Sequence, residues 1–115
     1  MTINPDSVQK LLDSQDYGDR IQGINELRQL ETKQAFKMIQ PLVKDENVRV
    51  RYAAVSQLDT LGQEDLALTL TLLRDRLQSD PEPDIQAAAA DVVGGLKLTD
   101  GFEDLVEIYH RSEEW

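Results

Sequence analysis

Three stretches of this chain align with one another: RIQGINELRQL from Arg20, RYAAVSQLDTL from Arg51 and QAAAADVVGGL from Gln86. Their starting points give offsets of 31 and 35 residues. Under those offsets Gly23, Ala54 and Ala89 coincide, followed by Ile24, Val55 and Ala90, then Leu27, Leu58 and Val93, then Leu30, Leu61 and Leu96. A small residue followed by apolar residues at this spacing traces one stripe of a helix with 3.6 residues per turn. The small position lets a neighbouring helix come close. A period of this length marks a stacked helical repeat, in which no unit can bury its apolar face alone.

Further helical patterns lie between the copies. Asn4-Pro5 has the form of an N-cap followed by proline in the first turn, opening a helix to about Ser14. A second is expected from Thr32 to about Lys44, kinked by Pro41, whose ring removes a hydrogen bond and crowds the carbonyl of Lys37. A third spans about Glu64 to Gln78. Its leucines form two stripes, Leu66, Leu70, Leu73 and Leu77 beside Leu68 and Leu72, which predicts an interior helix packed on both sides. A fourth starts near Asp100, where Asp100 and Glu103 have capping-box spacing and Phe102, Leu105, Val106 and Tyr109 form the apolar face. The links hold turn formers: Asp45-Glu46-Asn47, Gly62, and Ser79-Asp80-Pro81-Glu82-Pro83. No strand-like alternation occurs. The expected fold is therefore all-α, a superhelical solenoid of about three to three and a half antiparallel hairpins. Its units run over residues 4–31, 32–62 and 63–97, with a partial fourth over 98–115.

The residues of the second unit resemble the HEAT repeat, and in particular the phycobilisome-lyase (PBS lyase) HEAT-like repeat. That family's second helix carries an Arg, an Ala pair and a Leu-Gly ending. The match here is Arg51, Ala53, Ala54, Leu58, Leu61 and Gly62, preceded by Asp45-Glu46-Asn47-Val48-Arg49. The third unit keeps Asp80-Pro81-Glu82 and Gly94 but has Gln86 in place of the Arg, and the first has Arg20 without the glycines. A proline in the first helix of a hairpin, as at Pro41, is also a HEAT habit. The whole chain is similar to the N-terminal part of cyanobacterial phycobilisome degradation proteins of the NblB type, which are close in sequence to bilin lyase subunits. The resemblance implies a phycobiliprotein partner, with bilin as the one cofactor it brings into view. His110 to Trp115 falls on Val43 to Val48, so Trp115 would open a further second helix. The expectation is either a fragment of a longer solenoid or an end covered by another subunit.

Composition narrows function mainly by exclusion. The chain has 115 residues, one domain's length, and no cysteine, which removes disulfides, thiolate metal sites and cysteine nucleophiles. Its net charge of −10 is one-sided: residues 1–58 hold eight basic and eight acidic side chains, residues 59–115 four and fourteen. Such a field repels phosphate backbones, so nucleic acid and anionic membrane are not expected partners. No basic stretch followed by an apolar run opens the chain, and no apolar run approaches the ~18 residues of a membrane span. A cytoplasmic location is the expectation.

Catalysis finds no support in the motifs. His110 is the only histidine, and one histidine beside Glu103, Glu107 and Glu114 on a helix surface lacks the convergent rigid ligands of a metal site. Asp100, Glu103, Asp104 and Glu107 read as a solvated face. There is no G-x-S-x-G turn, phosphate-binding loop or dinucleotide fingerprint. Arg20 and Arg51 are expected to brace turns between units by pairing with a neighbouring carboxylate, and the Ala87–Ala90 run to pack in the core. Gly94 and Gly95, each costing about 1 kcal/mol relative to Ala inside a helix, mark local softness.

What is left is surface. The second helices of HEAT-like stacks line the concave side. There Asn25, Ser56 and Asp91 share one polar register position, and Gly18, Arg49 and Asp84 another. Partner-binding candidates are thus Asn25, Arg49, Ser56, Asp84 and Asp91, with Phe102, Tyr109 and Trp115 as an apolar patch through which the C-terminal end could also self-associate. The expected function is a non-catalytic protein-interaction scaffold, by resemblance one that binds phycobiliproteins during phycobilisome degradation. The alternatives are a bilin lyase or chromophore chaperone, and a general HEAT adaptor.

Overall fold

The computed structural model describes residues 3–96, and all regular structure among them is helical. The helices are α1 (Pro5–Leu12), α2 (Tyr17–Glu26), α3 (Thr32–Ile39), α4 (Val48–Leu61), α5 (Leu66–Ser79) and α6 (Pro83–Leu96). Short 3₁₀ segments, Leu27–Gln29, Gln40–Lys44 and Gly62–Glu64, join some of them. They pair in chain order as hairpins: α1 on α2, α3 with its 3₁₀ extension on α4, and α5 on α6. The second helices then stack side by side, α4 lying between α2 and α6. The result is a slab with extents of 50 × 26 × 15 Å.

Local chemistry sets the helix starts. Asn4 accepts from the Ser7 amide at 2.9 Å while the Asn4 amide donates to Ser7 Oγ at 3.2 Å, a reciprocal cap with Pro5 in the first turn. Asp16, Asn47 and Asp65 cap α2, α4 and α5 by accepting from backbone amides of the first turn. Pro41 acts one step earlier than a mid-helix kink: α3 ends at Ile39 and the chain tightens into the 3₁₀ segment that carries the proline.

The core is aliphatic, built around Ile24, Leu27, Ile39, Leu58, Leu73, Leu77 and Ile85. The small register position behaves alike in each unit, since Gly23, Ala54 and Ala89 are all buried. At Gly23 the packing is tight, because a Cβ would lie 2.7 Å from Leu12 Cδ2 and 3.0 Å from Leu11 Cβ and would force these side chains to shift.

Two expectations need correction. α5 follows the expected leucine arc only in part: Leu73 and Leu77 are buried with Thr69, and Leu68 and Leu72 pack half-buried against the core, whereas Leu70 is only half-buried and Leu66 is 45% exposed. The reason is polar: the Thr69 hydroxyl donates to the Gly62 and Asp65 carbonyls, both at 2.8 Å, and this turns that residue inward at the start of the helix. The alanine run is core only in part, with Ala88 and Ala89 buried, Ala90 half-buried and Ala87 exposed. Helix α6 runs through Gly94 and Gly95 to Leu96.

Candidate interaction surface

Below the open face of the second helices lies a buried polar ladder that fixes their spacing. Arg51 Nη1 donates to the Asp45 and Glu46 carbonyls at 2.9 and 3.3 Å, gripping the loop of its own hairpin. Its Nε and Nη2 reach into the next hairpin and donate to the Asp80 carboxylate at 3.0 and 3.4 Å. Arg20 repeats the arrangement one unit earlier, donating to the Ser14 and Gln15 carbonyls at 2.9 and 3.1 Å and to Asp45 Oδ2 at 3.1 Å. In the third unit Gln86 Nε2 donates to the Asp80 carbonyl at 2.9 Å, retaining the own-loop half of the clamp.

The acceptors obey the same register. Ser14, Asp45 and Asp80 are equivalent, and each side chain accepts from the backbone amide two residues on, Asp16, Asn47 or Glu82, at 3.1, 2.9 and 3.0 Å. Asp80 is 2% exposed and takes a third partner, Arg76 Nη1, at 2.9 Å. Arg76 Nη2 also donates to Asp75 at 2.7 Å. That hydrogen bond is the chief cause of a lowered Asp75 pKa, opposed by partial burial and aided by the charges of Arg76 and Lys44. Farther along, Arg28 Nε donates to the buried Gln57 at 3.2 Å, tying the end of the first hairpin to α4. The bracing role expected of Arg20 and Arg51 is what these contacts show.

With the second helices held in this way, one face of each remains open. At the first residue of α2, α4 and α6 stand Tyr17, Val48 and Pro83, equivalent in register and all exposed. One turn on come Ile21, Tyr52 and Ala87, of which Tyr52 is 51% exposed. The next turn carries Asn25, Ser56 and Asp91, all exposed and polar. The face therefore grades from apolar to polar along the helices. Between α4 and α6 it sinks into a groove of about 270 Å³, lined by Tyr52, Ser56 and Asp59 on one side and by Ala88, Asp91, Val92 and Gly95 on the other. Its two charged groups are both carboxylates. Asp59 leans across the groove, such that a Cβ on Gly95 would sit 3.2 Å from its Oδ1.

Of the expected partner-binding residues, the groove brings together Ser56 and Asp91. Asn25 is exposed on α2, outside it, and Arg49 and Asp84 are exposed in the first turns of α4 and α6, also outside it. Phe102, Tyr109 and Trp115 lie outside the described residues, as do His110 and the acidic group from Asp100 to Glu107. Tyr52, Asp59 and Gly95 were not expected. The register carries a signal for the first two, since Tyr52 matches Ile21 and Ala87 while Asp59 matches Arg28 and Gly94, so the three units all differ at both places.

Among the described residues no three His, Cys, Asp or Glu side chains converge as a cation site, and no helix is long and apolar enough to cross a membrane. A family profile described as HEAT repeats matches residues 5–94, while no curated protein and no solved structure gives a match. Repeats of this type generally mediate protein–protein interaction. Hairpins stacked through buried Arg–Asp clamps and a profile match over most of the length lead to one assignment: the chain belongs to the HEAT-repeat family.

Proposed function

We propose that this chain is a non-catalytic scaffold that receives a protein partner on the open face of α2, α4 and α6. The observation that carries the reading is the graded row of exposed side chains repeated at equivalent positions of the three helices, above a buried ladder that keeps them in place. A rigid surface of this kind binds without the ordering cost that flexible segments incur. The groove's two carboxylates, Asp59 and Asp91, are both exposed, whereas a carboxylate pair working as acid and base needs an enclosed, partly dry pocket that drives the two apart.

The partner is a phycobiliprotein of the light-harvesting antenna, engaged in the cytoplasm during antenna breakdown. Support for this finer assignment is the resemblance in Arg51, Ala53, Ala54, Leu58, Leu61 and Gly62 to PBS lyase HEAT-like repeats. Size-exclusion chromatography of the chain with phycocyanin or allophycocyanin at micromolar concentration should give co-elution, and separate peaks would rule the assignment out. The bilin-lyase alternative makes a different demand. Adding the chain to free bilin and apo-phycobiliprotein would have to speed the growth of red absorbance, and the scaffold reading expects no acceleration.

A further inference from the structure

We propose that the groove between α4 and α6 takes an arginine side chain from the partner protein, with an apolar neighbour of that arginine resting on Tyr52 and Val48. The inference rests on the reading of the second-helix face as the binding face, and it names the chemistry that the face selects.

Charge complementarity is the first argument. Asp59 and Asp91 come from opposite walls and, among the described residues, no lining side chain is basic, so an entering cation meets two anions. A guanidinium can fork to carboxylates on both sides, whereas an ammonium acts as a point charge. Aromatic chemistry points the same way. Tyr52 is 51% exposed at the rim, and a planar guanidinium stacks on such a ring. The floor supplies the rest: Ala88 and Val92 are largely buried, and they offer apolar contact to the methylene stem of a long side chain.

The apolar neighbour follows from the row above. Val48 and Tyr52 are one turn apart on α4 and 38% and 51% exposed, an apolar ridge beside an acidic hollow. A bare metal ion fits poorly, because a hard divalent cation seeks about six or more oxygens and the groove presents two carboxylates and a hydroxyl. A polyanion is repelled.

The test is an amide NMR titration of the full ¹⁵N-labelled chain with the peptide acetyl-Ala-Leu-Arg-Leu-Ala-amide. The control peptide has citrulline in place of arginine, with the same shape and no charge. The expected result is shifts confined to the amides around Tyr52, Ser56, Asp59, Asp91 and Gly95, with the citrulline peptide binding about two- to fivefold more weakly. The double variant Asp59→Asn/Asp91→Asn, with both changes on exposed side chains, should keep the wild-type spectrum and lose the preference for arginine. Shifts on the α2–α4–α6 face with equal affinity for the two peptides would overturn the arginine assignment while leaving the face as a binding surface. Shifts elsewhere, or none at millimolar peptide, would overturn it outright. Co-elution with phycocyanin is measured separately, so failure of that partner is distinguishable from failure of the groove.

Discussion

Asp80 joins three partners in the ladder, accepting from Arg51, Arg76 and the Glu82 amide in a site closed to water. Replacing it with alanine strands a buried guanidinium, a change that costs about 3–5 kcal/mol. Asp80→Ala should therefore lose that much unfolding free energy in urea titration, and the loss should greatly exceed that of Asp75→Ala on the half-open edge. Asp75 allows a test by pH. Its carboxyl titrates below the ordinary 3.8, chiefly through the Arg76 hydrogen bond, so it favours the folded state above that value, and the contribution disappears as pH falls through the lower folded value. Below about pH 4 the wild type should lose stability more steeply than Asp75→Asn. At this scale the sequence was half legible. Arg20 and Arg51 stand out by register, and so do their acceptors Ser14, Asp45 and Asp80 once the same offsets are applied. The role of Arg76 is not legible, because its partner Asp80 sits beyond the helix end and nothing in the local spacing says that its carboxylate turns inward.

Helix by helix, the stripe of small and apolar residues located α2, α4 and α6, and cap chemistry located the start of α1. The α5 stripe was misread in part because a leucine-rich helix offers several apolar arcs, and a threonine hydroxyl chose among them. Glycines provide the test here. Among the described residues, and its own helix backbone aside, Gly94 has no atom within 4 Å of where a Cβ would lie, so Gly94→Ala should raise stability by about 1 kcal/mol, read as a higher urea midpoint at unchanged slope. Gly95→Ala should gain less, since its Cβ would press on Asp59 at 3.2 Å. Gly23→Ala should destabilise by about 1–3 kcal/mol, because Leu12 must shift to admit a methyl group.

Across the whole molecule, the ladder and the stripe produce a stack in which each hairpin leans on its neighbours, so stability is shared through interfaces. The fold class was legible from the offsets alone. The groove was not: its position depends on Tyr52 and Asp59 of the second unit and Gly95 of the third, and a repeat alignment averages such unit-specific residues away. The account stands or falls on α2, α4 and α6 lying side by side with their register positions aligned. With no native cysteine, spin labels placed by Asn25→Cys and Asp91→Cys report the separation across two helix spacings directly by pulsed electron paramagnetic resonance. A narrow distribution near ~20 Å, twice the packing distance of neighbouring helices, is the expected result. A broad distribution, or one centred beyond ~35 Å, would contradict the stack and the face built on it.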